Sequence, residues 1–147
     1  MELPEYVTAE EVQRVCRTLG LSDWSVKTDP VVSDADAARI LEIVNTRSMA
    51  IPLADFRKGL EVELEHGTRF DDANVTNNHP VLTGKIVLAH LKETMDYYQR
   101  IDVAELEGDL LKAIMSGKIE KIEDKFKKLI AARGALNQAV DSQLRKL

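Results

Sequence analysis

Glu63-Leu64-Glu65-His66 is followed, after a polar stretch, by its mirror image His90-Leu91-Lys92-Glu93. A carboxylate and an imidazole three residues apart project from one face of a helix. The reversed second copy is the order an antiparallel helix pair needs if its connected ends are to bring the imidazoles together. Two of the three histidines in the chain sit in this arrangement. The pattern predicts two antiparallel helices and offers Glu63, His66, His90 and Glu93 as a ligand set for a divalent metal. Carboxylate and imidazole donors suit zinc, iron or manganese. The alternative is a ligand-free polar network that fixes the helix pair. In it Glu65 or Glu63 accepts from His90, Glu93 pairs with His66 or Lys85, and Tyr97 closes the set.

The rest of the chain is also patterned for helix. Thr8-Ala9-Glu10-Glu11 fits a capping box, Val12, Val15, Cys16 and Leu19 form an apolar stripe, and Gly20 supplies the left-handed stop. The pattern is lost from Leu21 to Val32. Ser33 or Asp34 caps a second helix carrying Ala38, Ile40, Leu41, Ile43 and Val44, which ends before Pro52. A third starts near Pro52 or Leu53, repeats Leu53, Phe56, Leu60 and Leu64, and is expected to close at Gly67. The stretch from Gly67 to Leu82 is rich in Asp, Asn, Thr and Pro and reads as a surface loop, with His79 exposed in extended backbone before Pro80.

A fourth helix is expected from about Thr83 to Ile101. At ~100° per residue, Ile86, His90, Glu93, Tyr97 and Ile101 form one stripe and Leu88, Leu91, Met95 and Tyr98 another. That helix would be buried on two faces, and an imidazole, a carboxylate and a phenol among isoleucines are costly to bury unless their polar atoms are paired or ligate something. On the third helix Glu63 lies about 65° from the centre of the apolar stripe, with His66 turned further out.

After a linking helix with Leu106, Leu110, Leu111 and Ile114, Ser116-Gly117 marks a hinge before a long terminal helix. With Ile119 as heptad position a, the a sites are Ile119, Phe126, Arg133, Val140 and Leu147, and the d sites are Ile122, Leu129, Leu136 and Gln143. Seven of these nine are apolar, which is a coiled-coil or bundle pattern. Ile130 and Leu144 at e, with Ala132 and Ala139 at g, widen the stripe, so a bundle or higher oligomer is expected rather than a two-stranded zipper. Ile119, Ile122, Phe126, Leu129, Leu136 and Val140 are the expected association interface. The other solution is that this helix, roughly 45 Å long, folds back on its own domain.

At 147 residues the chain has the length of one domain with an appendage. The expected division is a compact helical domain over 1–115 and an association helix over 116–147. A net charge of −5 with both signs interspersed argues against nucleic-acid binding. The single cysteine, Cys16, excludes an internal disulfide, and its place on the apolar side of the first helix reads as core. With no basic and apolar leader and no membrane-length apolar run, a soluble protein is expected, cytoplasmic or virion-associated and not secreted.

The segment 51–101 resembles an uncharacterised helical family of bacterial and bacteriophage proteins, a domain of unknown function. The resemblance is carried by Phe56-Arg57-x-Gly59-Leu60-Glu61-Val62-Glu63-Leu64-Glu65-His66-Gly67, by Asn74-Val75-Thr76-Asn77, and by Thr83-Gly84-Lys85-Ile86-x-x-Ala89-His90-Leu91-x-Glu93-x-x-x-Tyr97-Tyr98-x-Arg100. The helix from Thr8 to Leu19 is similar to the family's opening element, residues 26–49 look like an insertion, and the pattern gives no guide beyond Glu107. The resemblance implies a compact helical domain with Glu63, Glu65, His66, Thr83, His90, Glu93 and Tyr97 as signature positions. It implies no activity, and it admits a virion or head-assembly role.

No glycine-rich phosphate loop, Gly-x-Ser-x-Gly elbow or Cys-His nucleophile pair is present. Thr83-Gly84-Lys85 resembles only the end of a phosphate loop and reads as helix capping. The di-iron bundles repeat Glu-x-x-His in one direction, whereas here the second copy is reversed. The sequence therefore predicts an all-α protein, a small helical bundle with a long amphipathic C-terminal helix, acting as a non-catalytic structural, assembly or interaction protein. Its partners would be copies of itself or a larger protein assembly. The alternative is a divalent-metal protein, redox-active in one version, whose site is completed by oligomerisation.

Overall fold

The computed structural model describes residues 6–145. All regular structure among them is helical: α1 (Ala9–Leu19), α2 (Asp34–Val44), α3 (Leu53–Arg69), α4 (Pro80–Glu93), α5 (Tyr97–Ser116) and α6 (Ile119–Leu144), with short 3-10 turns at Trp24–Val26 and Asp71–Ala73. The chain forms two compact units that divide between Glu93 and Thr94, upstream of the 115/116 boundary expected from sequence.

In the first unit, α1 starts where Thr8 accepts a hydrogen bond from Glu11 N at 3.2 Å, a cap that stabilises by about 1 kcal/mol. It ends in a Schellman turn, with Gly20 at φ 69° and the N–H groups of Leu21 and Gly20 bonded back to the carbonyls of Cys16 and Arg17. The patternless segment that follows is tied to α2 by the Asp36 carboxylate. Asp36, in the first turn of α2, accepts from Trp24 Nε1 at 3.1 Å, from Ser22 N at 3.3 Å and from the Ser22 hydroxyl. Trp24 is fully buried. Ser33 caps α2 through Asp36 N at 3.0 Å.

The core of this unit lies where α2, α3 and α4 pack on one another. Ala37, Ile40 and Val44 meet Phe56, Leu60 and Leu64, with Val87, Leu88 and Leu91 completing the layer. Gly84 permits the contact of α4 with α2, since a Cβ there would stand 2.4 Å from Ile40 Cγ2. Close packing and not capping is the role of Thr83-Gly84. The Thr83 hydroxyl donates to the His79 carbonyl at 3.0 Å, and the cap of α4 is the His79 imidazole, whose Nδ1 accepts from Val81 N and Leu82 N. His79 is accordingly half-buried and not exposed as expected. Burial holds its pKa below the ordinary imidazole value.

The continuous helix expected over 83–101 is broken. Asp96, almost fully buried, accepts from the Thr94 hydroxyl and takes a bidentate pair from Arg100 at 3.1 and 2.7 Å. Thr and Asp side chains offer the backbone a turn in place of helix, and the Thr94–Asp96 link does so here. Arg100 also holds the Asp96 carboxyl below the usual carboxylate range.

The second unit is an antiparallel hairpin of α5 and α6. Gly117, at φ 67°, makes the turn after α5, and the chain returns along the helix it has left. This is the fold-back solution. The d positions form the inner seam, with Leu129 buried and Ile122 and Leu136 half-buried. Of the a positions, Val140 is half-buried while Ile119 and Phe126 are exposed, and Leu147 lies outside the described residues. Cross-hairpin ion pairs join Lys125 to Asp109 and Arg133 to Glu107, both at 2.7 Å. No helix among the described residues is long and apolar enough to cross a membrane.

Candidate functional site

The mirrored motifs meet only in part. Glu63 on α3 and His90 on α4 come together with Oε1 and Nδ1 3.1 Å apart, their side chains 14% and 26% exposed. His66 stands one turn along α3, with Nδ1 3.9 Å from the other carboxylate oxygen and its side chain 63% exposed. Glu63 thus lies between two imidazoles, close to one and loosely approached by the other. It is the carboxylate that meets His90, since Glu65 pairs with Arg69 on its own helix.

Glu93 and Lys85 do not join this pair. Glu93 is exposed at the last residue of α4 and enters none of the ion pairs found among the described residues, so its expected pairing with His66 or Lys85 is not made; Lys85 is exposed as well. Tyr97 belongs to α5 in the second unit, where its ring stands edge-on to Tyr98 with centroids 5.3 Å apart. The Thr94–Asp96 break ends the helix that was expected to carry His90, Glu93 and Tyr97 in one stripe. Among the described residues no three His, Cys, Asp or Glu side chains converge as metal ligands. Among the described residues Glu63 is therefore near His90 and His66, and Glu93 is not grouped with them.

A feature absent from the sequence reading is the loop clamp beside this pair. α3 does not stop at Gly67 but continues to Arg69. Gly67 is buried because the loop lies against it: a Cβ there would fall 1.9 Å from Asn78 Oδ1 and 2.9 Å from Asn74 Nδ2. Asn74 Nδ2 donates both to Gly67 O and to Asn78 Oδ1, each at 3.3 Å. Asn77 donates to Val7 O, tying the loop to the lead-in of α1. Asn77 and Asn78 take positive φ angles of 46° and 59°, which Asn tolerates better than most residues. The paired asparagines before His79-Pro80 were the sequence signal for this turn.

Between clamp and helix pair is a small cleft of about 170 Å³, lined by Glu63, His66, Asn74, Thr76 and Thr83 among others. A larger polar cleft of about 380 Å³ lies on the Lys27 side of the same loop, and the Lys27 ammonium there donates to Val31 O at 2.6 Å. Cys16 offers no nucleophile. Its thiol is buried against Trp24 N, and burial pushes its pKa up.

Two helical units, the first with a Glu63–His90 pair between α3 and α4 and an asparagine clamp on Gly67, define an all-α protein. The chain belongs to the family described as Protein of unknown function (DUF5661), whose model matches residues 12–107. The match takes in the helix pair, the clamp and the start of α5, and extends past both ends of the 51–101 core. No curated protein and no solved structure matches the chain.

Proposed function

We propose that this is a non-catalytic structural or assembly protein, of a virion or another large complex, whose first unit is a rigid support and whose C-terminal hairpin makes the contact. One observation carries the reading: the hairpin exposes large apolar side chains that its own packing leaves uncovered. Ile114, Ile119, Phe126 and Ile130 are 53%, 71%, 53% and 52% exposed. Contiguous apolar patches of this kind mark interaction surfaces more often than they decorate monomers.

The first unit supports the same reading. Its Glu63-His90 pair joins two helices and its asparagines hold a loop, which are positioning roles. A structural role for Glu63 and His90 also accounts for their signature status without a ligand.

The test is the size of the native, untagged protein in an extract of cells that produce it. The wild-type chain is expected to elute well above its 16.5 kDa monomer mass, and a Phe126→Glu, Ile130→Glu variant at monomer mass. A wild-type chain eluting as a monomer contradicts the proposal.

A further inference from the structure

We infer that the partner covering the hairpin is a second copy of the same hairpin, the two closing a four-helix bundle about a two-fold axis. The inference rests on the assembly reading above and adds the identity of the occupant.

The two cross-hairpin ion pairs distinguish its sides. Counting ~100° per residue from Leu129, Arg133 falls at about +40° and Lys125 at about −40°. From Ala113 on α5, Glu107 falls at about +120° and Asp109 at about −40°. The Arg133–Glu107 and Lys125–Asp109 contacts therefore mark opposite sides. The Lys125 side is polar, with Lys112, Ser116 and Lys121 around it. On the Arg133 side Phe126, Ile119 and Ile130 lie at about 60°, 80° and 100° on α6, and Leu110 and Ile114 at about 60° and 100° on α5. One side of the hairpin is thus apolar along its turn-proximal half.

Three observations select a second copy. The first is the missing core: between Thr94 and Arg145 the buried apolar residues are Tyr98, Ala113, Leu129 and Ala132. Two helices with so few buried side chains need further helices to enclose them, and an identical hairpin supplies two. The second is area. Ile114, Ile119, Phe126 and Ile130 are each more than half exposed, on the order of 100 Å² apiece. With half-buried Leu110 and Ile122 the apolar side chains come to roughly half of the ~800 Å² per partner of a standard interface, to which the stems of flanking charged residues add.

The third is charge. Residues 94–147 carry nine acidic and ten basic side chains, so like hairpins meet without net repulsion. At the outer edge of the apolar side, Glu123 and Lys127 are both exposed. A two-fold axis at the level of residue 125 sets Glu123 of each copy opposite Lys127 of the other, a self-complementary pair that an isologous contact requires.

Sedimentation equilibrium of the purified full chain, over a concentration series, tests this. The wild-type protein is expected to be a dimer. Glu123→Lys or Lys127→Glu alone should raise its dissociation constant about fivefold by setting like charges opposite each other, and the double swap should restore it to within about twofold. Phe126→Glu with Ile130→Glu should raise it about a hundredfold or more, with helical circular dichroism unchanged. A purified monomer overturns the second-copy inference. If that same protein still runs in a large complex in extract, only the occupant is wrong; if it is monomeric there too, the assembly reading falls with it. A trimer or tetramer, or a dimer indifferent to these substitutions, also overturns it.

Discussion

Glu63 Oε1 stands 3.1 Å from His90 Nδ1, and this contact ties α3 to α4 at a point where both side chains are largely withdrawn from water. A paired, half-buried carboxylate stabilises a helix pair through a charge-assisted or neutral hydrogen bond and loses that contribution when either partner goes. A double-mutant cycle with Glu63→Ala and His90→Ala is expected to give a coupling of about 1 kcal/mol in urea unfolding. The same cycle between Glu63 and exposed His66 should give less than about 0.3 kcal/mol. Equal couplings would mean that both imidazoles hold the carboxylate alike.

Glycine substitutions should split by sign. Gly84→Ala forces a methyl to within 2.4 Å of Ile40 Cγ2, and Gly67→Ala pushes one into the Asn78 amide; each should destabilise by about 1–3 kcal/mol despite the helix propensity gained. Gly108 and Gly134 have nothing within 4 Å of the added Cβ, so Ala at either should stabilise by about 0.5–1 kcal/mol. Thermal unfolding of the four variants checks the pattern.

Asp36 should be worth more than any other single carboxylate in the first unit. It alone receives the Trp24 indole N–H, so Asp36→Ala leaves a buried donor unpaired and should cost about 3 kcal/mol. Trp24 is the one tryptophan in the chain. A red-shifted emission in the folded variant would report the loss directly, while an unchanged spectrum and stability would refute this account of the segment.

Stability should fall as the solution is made mildly acidic, because His79 caps α4 in its neutral form. The unfolded chain takes up a proton near pH 6.5, whereas burial lowers the folded pKa. The contribution is therefore fully present above about pH 6.5 and is lost as pH drops toward the lower folded value. His79→Asn keeps a cap acceptor without titrating, and should flatten the dependence of the urea midpoint between pH 7.5 and 5.5.

The helices with strong local signals were legible in the sequence. Thr8 and Gly20 bound α1, Ser33 caps α2 and Pro52 precedes α3 at the places their chemistry indicates. What was not legible depended on tertiary partners. The heptad pattern of 119–147 is the same whether the helix meets another chain or its own neighbour, and only packing shows α6 lying on α5. Gly67 reads locally as a stop, yet α3 runs through it because the asparagine clamp needs a residue without a side chain there. The apolar periodicity that continues past Glu93 concealed the break, whose cause is the local side-chain link of Thr94 to Asp96. That break puts His90 on α4 and Tyr97 on α5, two helices where the periodicity indicated one.

Native mass spectrometry of untagged protein, with elemental analysis of the same sample, tests most directly the claim that this chain is a structural protein that associates through its hairpin. The account predicts a two-chain species without stoichiometric metal. A single chain carrying one equivalent of zinc, iron or manganese, lost on Glu63→Ala and on His90→Ala while helical content is retained, would contradict it.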